Sequence, residues 1–399
     1  MIDRLLHTPD GVRDTLNDEC QKKQSLEREL HKVLVSFGYR DLETPTFEFF
    51  DVFGREVGTT PTQELYKFFD REGNTLVLRP DFTPSIARAA SKYFREEDKA
   101  VRLCYQGNTF INSSNYQGHL KETTQMGAEL LGDESPEADA ELIAMSVELL
   151  KKAGLQEFQV SVGHVGFFKS LMKEAGFSEE DEQKLRSLIT MKNFFGVEEF
   201  LESFSLKEEL KKALITLPEM FGSSEVLERA EQLTDNQEAL EAVHRLKEIY
   251  ELLKIYGVEK YISFDFGMLN KYQYYTGVIF RGYTYGTGDA VVKGGRYDHL
   301  LARFGKPSPS IGFAVMADQL LSALGRQKIS VPVEQGPTLL LYEKKDRTPA
   351  MLEANHLRQQ GCSIVLMEQK DTMEAYEAYG KRNGFYAVRK FHESDSLAM

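Results

Sequence analysis

The sequence predicts an α+β fold, with an all-helical insertion at about residues 178 to 258 and a small α/β domain at 337–399. Three observations predict it. Strand-length apolar segments alternate with helical segments over the first 175 residues. The character then changes to Glu-, Lys- and Leu-rich sequence of helical period. Beyond the linker Gln327–Gly336, which holds Pro332 and Gly336, a strand–helix–strand–helix–strand pattern follows.

Asn17 to Phe37 reads as a helix, because Leu26, Leu30, Val33, Leu34 and Phe37 recur at helical spacing and Gly38 can end it. Tyr39 to Glu48 is extended, and Pro45 places it at a sheet edge or an interface. Leu65–Phe69 and Thr75–Leu78 flank Asp70-Arg71-Glu72-Gly73-Asn74 and read as a hairpin. Strands near Val101–Gln106 and Thr124–Leu131 bracket a polar loop, and Glu137 to Ala153 is a helix. In the insertion, Val243, Leu246, Tyr250 and Leu253 mark one helical face. Strands return at Tyr261–Phe280 and Val291–Gly295, and Lys293-Gly294-Gly295-Arg296-Tyr297-Asp298 reads as a glycine turn leading into a helix. The last unit is Thr338–Tyr342, Ala350–Gln360, Ser363–Met367, Met373–Asn383 and Tyr386–Arg389.

Composition narrows the function. The 399 residues allow two or three domains. The net charge of −13 argues against a nucleic acid as main partner, since phosphate neutralisation needs basic surface. No apolar run reaches the ~20 residues of a membrane span, and Met1-Ile2-Asp3-Arg4 carries no secretory pattern. Cys20, Cys104 and Cys362 lie far apart, which suits a reducing cytoplasm and offers no metal-ligand spacing. Cys104 sits in the apolar run Val101–Tyr105 and reads as a core residue. There is no Walker loop, zinc spacing or nucleophile elbow, so no cofactor is expected. Gly286-Thr287-Gly288 reads as a turn.

Taken in order, seven segments resemble one family. Thr8-Pro9-Asp10-Gly11-Val12-Arg13-Asp14 resembles the opening of histidyl-tRNA synthetases, and Phe37-Gly38-Tyr39 through Pro45 resembles motif 1 of the class II synthetases, whose proline lies at a dimer interface. Leu78-Arg79-Pro80-Asp81-Phe82-Thr83 is similar to the amino-acid-binding turn. Tyr105-Gln106-Gly107-Asn108-Thr109-Phe110 through Gln125-Met126-Gly127-Ala128-Glu129 resembles motif 2. Tyr274-Tyr275-Thr276-Gly277 resembles the histidine-specific signature, and Gly294–Asp298 with Ile311-Gly312-Phe313-Ala314 the glycine-rich turn and motif 3. The resemblance covers roughly residues 4 to 325. It implies a class II aminoacyl-tRNA synthetase-like antiparallel sheet flanked by helices in a core of 1–326, and a homodimer.

The departures from the family pattern bear on catalysis. Adenylate formation brings a carboxylate against a triphosphate, and arginines suit this because the guanidinium stays charged and binds two oxygens at once. Synthetases of this resemblance carry an arginine after the motif 2 phenylalanine; here Ile111 follows Phe110. The loop's usual Glu and Arg are Ser113 and Ser114, and His119 and Lys121 stand where basic loop residues are used. The signature arginine four residues before the first tyrosine is Asn270, the aspartate before the pair is Gln273, and the motif 3 arginine is Gln319. Losing one such donor typically costs about 10²–10³ in rate, so the chain is expected to be catalytically silent.

The amino-acid pocket is expected to persist. By resemblance, Asp81, Thr83, Gln125, Glu129, Tyr274 and Tyr275 would bind histidine: Asp81, Gln125 and Glu129 the ammonium and one imidazole nitrogen, Tyr275 the other side of the ring. By alternation alone, Gln125 and Glu129 also fit the solvent face of an amphipathic strand. A synthetase-like core without these arginines, but with such a pocket, resembles the regulatory subunits of short-form ATP phosphoribosyltransferase. That resemblance implies a short-form catalytic subunit as partner, histidine as ligand, and no role for tRNA. An active histidyl-tRNA synthetase and an amino-acid-sensing module with another partner are the alternatives. The small domain stands where an anticodon-binding domain would be, with basic residues clustered only at Lys344-Lys345, Lys381-Arg382 and Arg389-Lys390.

Overall fold

The computed structural model describes residues 6–54, 60–113, 120–269 and 275–392. In chain order the first elements are α1 (Asn17–Ser36), β1 (Arg40–Asp41), β2 (Phe47–Phe49), β3 (Lys67–Phe69), β4 (Thr75–Leu78), α2 (Thr83–Tyr93), β5 (Val101–Phe110), β6 (Glu122–Leu131), α3 (Pro136–Lys152), β7 (Phe158–His164) and α4 (Val165–Ala175). The insertion follows as α5 (Glu179–Thr190), α6 (Phe194–Glu202), α7 (Glu208–Thr216), β8 (Phe221–Gly222), α8 (Glu225–Glu231) and α9 (Gln237–Ile255). Then come β9 (Ile262–Asp265), β10 (Val278–Thr284), β11 (Val292–Arg296), β12 (Ser310–Met316), α10 (Ala317–Arg326), β13 (Thr338–Tyr342), α11 (Arg347–Gln359), β14 (Ile364–Glu368), α12 (Met373–Arg382) and β15 (Ala387–Lys390).

The main sheet has the order β1-β5-β6-β12-β11-β10-β7-β9-β8. It is antiparallel except where β1 meets β5 and β7 meets β9. The predicted hairpin forms as β3 and β4, with Lys67 opposite Val77 and Phe69 opposite Thr75, and β2 joins its other side. Helix α1 buries Leu26, Leu30 and Leu34 and stops at Gly38, whose φ of +82° suits glycine. Ser135 caps α3 by accepting the N–H of Ala138, and Pro136 opens its first turn. Cys104 lies in the core, fully buried.

Two local expectations are corrected. The insertion is not all-helical: Phe221-Gly222 pairs with Phe264 and Asp265 of β9, adding a strand to the main sheet. Lys293 to Arg296 do not turn; they run straight through β11 between β10 and β12. Glycines are needed there for close packing rather than for a turn. A Cβ on Gly294 would come within 2.4 Å of the Phe280 ring, and one on Gly295 within 2.9 Å of the Tyr275 ring. After β11 the chain reaches only a short 3₁₀ turn, Leu301–Phe304. The Gly286 turn does form, at φ +88°.

The chain divides into two compact units, residues 1–14 with 26–331, and 15–25 with 332–399. The second contains the parallel sheet β14-β13-β15, with Leu339 and Leu341 buried at its centre and α11 contributing Ala350 and Ala354. Among the described residues no helix is long and apolar enough to cross a membrane.

Candidate functional site

One face of the main sheet forms the floor of a site. Side chains two apart on a strand share a face, so Gln125, Gly127 and Glu129 of β6 point one way. Across the ladder, Met316, Ala314 and Gly312 of β12 stand opposite them, and Lys293 and Gly295 of β11 continue the last two rows. The middle positions are Gly127, Ala314, Gly312 and Gly295. Small residues flanked by large ones leave a hollow. It measures about 210 Å³ and is lined by Thr60, Pro80, Asp81, Thr83, Ile111, Gln125, Tyr275, Lys293, Tyr297, Gly312, Phe313, Ala314 and Met316.

The walls come from separate segments. Asp81 and Thr83 stand at the start of α2, where the Asp81 carboxylate accepts the N–H of Thr83 at 3.3 Å. The turn before α2 is pinned by Arg79, which is buried. Its Nε donates to the Asn108 carbonyl and its Nη1 to that of Thr44, both at 2.8 Å, and it lies over the Phe82 ring. Tyr275 and Tyr297 are set by their neighbours: Thr276 Oγ1 donates to Asp298 Oδ2 at 2.7 Å, and the Asp298 N–H returns to Thr276 Oγ1 at 3.0 Å. Beneath them Arg296 donates to Asp139 Oδ1 through Nε at 2.9 Å and Nη2 at 2.7 Å, and Arg245 of α9 holds the other Asp139 oxygen.

Of the residues singled out from sequence, Asp81, Thr83, Gln125 and Tyr275 line the cavity. Glu129 is brought to the same place but one layer down, 1 % exposed. Thr83 Oγ1 donates to its Oε1 at 2.8 Å and the Tyr297 hydroxyl donates to its Oε2. Gln125 is buried too, so the solvent-face reading of this strand is wrong: both faces of β6 are covered beyond Thr123. Tyr274 lies outside the described residues, as do Ser114, His119, Asn270 and Gln273. Sequence reasoning missed Tyr297 and Lys293. Their signal was present, since Lys293, Gly295 and Tyr297 alternate at the period that puts them on one strand face.

Burial and neighbouring acidic groups set the electrostatics of the pocket. Burial pushes the Glu129 carboxyl up to about 8, the nearby Asp81 charge adding to it and the bonds from Tyr297 and Thr83 opposing it. Burial, with the charges of Asp81 and Glu129, holds the Tyr275 hydroxyl well above its ordinary range. One acceptor is left over: Gln125 Oε1 is buried and has no hydrogen-bond partner. Such orphans are rare in folded proteins and mark a missing donor.

Ile111 and Gln319 stand at two positions expected from the sequence resemblance to carry nucleotide-binding arginines. Ile111 presents a hydrocarbon to the cavity. Gln319 lines a neighbouring hollow of about 420 Å³ with Asp289, Asp318, the Gly286–Gly288 turn and Arg326, whose guanidinium donates to the Gly286 carbonyl at 2.5 Å. The one His/Cys/carboxylate cluster of metal-ligand type among the described residues is His31, Asp41 and Cys104, none of which lines this cavity. Burial and the Asp41 charge push the Cys104 thiol up to about 12, which disfavours the thiolate a metal would need.

The family model of histidyl-tRNA synthetase matches residues 11–320. The ATP phosphoribosyltransferase regulatory subunit of Acetivibrio thermocellus is 39 % identical over 100 % of this chain and 95 % of its own length. That of Clostridium acetobutylicum is 41 % identical over 81 % of this chain and 80 % of its own. A crystal structure from Bacillus halodurans, described as an ATP phosphoribosyltransferase regulatory subunit/histidyl-tRNA synthetase, superposes with a TM-score of 0.86 at 33 % identity, covering 97 % of this chain and 98 % of that one. The histidyl-tRNA synthetase of Nostoc, at 18 % identity and a TM-score of 0.81, shares the fold. The chain belongs to the family of ATP phosphoribosyltransferase regulatory subunits, built on a histidyl-tRNA synthetase-like core.

Proposed function

We propose that this chain is the non-catalytic regulatory subunit of ATP phosphoribosyltransferase and that its synthetase-like pocket senses free histidine. It would act on a short-form catalytic subunit in the first step of histidine biosynthesis, in the cytoplasm. The observation that carries the reading is a contrast within the lining of one cavity. A buried Gln125 oxygen lacks a donor in a cavity that Asp81 also lines, whereas Ile111, which lines the same cavity, cannot hold a phosphate. An ammonium supplies the missing donor, and the Tyr275 and Tyr297 hydroxyls with Glu129 suit the two imidazole nitrogens. Feedback requires histidine to bind the inhibited complex more tightly than the active one.

The core is assigned to 1–326, with its insertion at about 178–258, and the small domain to 337–399. Homodimerisation through the motif 1 region is supported by the aromatic face of β2 and β3, where Phe47 and Phe49 stay half exposed beside Pro45 and the Phe47 ring packs edge-on against Phe68. A tRNA partner is disfavoured by the net charge of −13 and by Lys345 and Lys390, which both pair with Glu343.

The test is reconstitution. Mixed with a short-form catalytic subunit, the chain should raise its activity and confer inhibition by histidine, while the chain alone shows no histidine-dependent ATP–pyrophosphate exchange. Exchange activity would identify a working synthetase instead. Inhibition that persists without this chain would place the sensing site on the catalytic subunit.

A further inference from the structure

A free amino acid brings a carboxylate as well as an ammonium. The proposed pocket already holds the Asp81 carboxylate, beside a Glu129 carboxyl that burial pushes up to about 8, and a second anion left unpaired there would bind poorly. The position expected to carry the motif 2 arginine presents Ile111 to the cavity instead. Lys293 lines the same cavity as Ile111. It stands on β11 opposite Ala314, two residue pairs along from Gly295 and Gly312 and so on the same face, and its stem rises beside the small-residue floor. Its Nζ lies 2.6 Å from Asp289 Oδ2, and both side chains are about half exposed, at 41 % and 48 %. A pair so open to water is weakly held and can exchange partners at little cost. Arg281 stands opposite Lys293 on β10, and its charge acts on both Tyr275 and Asp289. The cavity is therefore lined by an acidic residue, Asp81, and a basic one, Lys293.

We propose that Lys293 recognises the ligand's α-carboxylate in place of the missing arginines, and so makes the pocket selective for a free amino acid over an analogue without that group. The inference rests on the reading of the pocket as a histidine site. A lysine suits the task at a cavity mouth, because its ammonium swings on a flexible stem from Asp289 to an incoming carboxylate.

Calorimetry on the full chain, alone and with its catalytic partner, tests it with two ligands. L-histidine carries the carboxylate; L-histidinol keeps the ammonium and imidazole and replaces the carboxylate with a neutral hydroxymethyl group. The wild type is expected to prefer histidine. Lys293→Gln is expected to lose about ten- to a hundredfold in histidine affinity, as for a lost charge-assisted hydrogen bond. It should bind histidinol as the wild type does, which also shows that the variant is folded. Lys293→Arg should recover most of the histidine affinity. The inference is overturned if Lys293→Gln keeps the wild-type preference, or if it loses both ligands equally. If the wild type binds neither ligand in either state, the pocket reading itself fails and takes the inference with it.

Discussion

The carboxylate of Glu129 occupies the space that any side chain at position 312 would need: a Cβ on Gly312 would lie 1.6 Å from Glu129 Oε2. The two residues face each other across the β6–β12 ladder. Gly312→Ala must therefore push Glu129 off its bonds to Thr83 and Tyr297. The expected cost is about 1–3 kcal/mol from overpacking, with loss of ligand binding. Thermal denaturation and calorimetry on this one variant check both; an unchanged melting temperature would contradict the packing described.

Glu129→Gln should weaken histidine binding more than Tyr275→Phe. The first removes a buried carboxyl that accepts from Thr83 and Tyr297 and is expected to cost about ten- to a hundredfold in affinity. The second removes one neutral hydrogen bond, about 0.5–1.5 kcal/mol. If both variants bind histidine like the wild type, the pocket has been assigned to the wrong residues.

Stability should fall as pH rises above neutrality. Glu129 titrates near 8 in the folded chain, against an ordinary value of 4.5, so the folded state holds a proton that the unfolded state has released. That stabilising effect is complete below pH 4.5 and is lost as pH rises through 8. His164 works in the opposite sense at lower pH. Its Nδ1 accepts the Gly166 N–H at the start of α4, and burial depresses its titration to about 4 from 6.5, so its contribution disappears as pH falls from 6.5 to 4. Between pH 6.5 and 8 the His164 contribution is fully present and constant, so of the two only Glu129 still changes stability with pH. The expected loss there is on the order of 2 kcal/mol. Urea titrations at several pH values should show this slope in the wild type and not in Glu129→Gln.

Asp139→Asn should be among the most destabilising single changes in the molecule. Asp139 is 1 % exposed and divides its oxygens between Arg296 and Arg245. Neutralising it leaves two guanidinium groups without their shared anion, about 3–5 kcal/mol for a broken buried pair. Lys151→Ala, which loses only a surface pair with Glu148, should stay within about 1 kcal/mol of wild type. A urea midpoint shared by the two variants would refute the ranking.

The sequence by itself determined the family, the order of elements and four of the residues that line the candidate cavity, Asp81, Thr83, Gln125 and Tyr275. Hydrophobic period places α1, α9 and the hairpin at Leu65–Leu78, because local alternation is decided by which face each residue must bury. The segments around Asp81, Gln125 and Tyr275 are legible as a set because each keeps its own local pattern. Tertiary structure decided what depends on residues far apart in the chain. Lys293–Asp298 looks like a turn because paired glycines favour turns, yet it is a strand, since the Phe280, Phe313 and Tyr275 side chains crowd its glycines from neighbouring segments. Gln125 and Glu129 alternate as a half-exposed strand would, yet both faces of β6 are covered. The bond from Tyr297 to Glu129 spans 168 positions. Local period cannot report what lies above a strand face; only the packed sheet brings that carboxyl, its two donors and the Lys293 ammonium around one cavity.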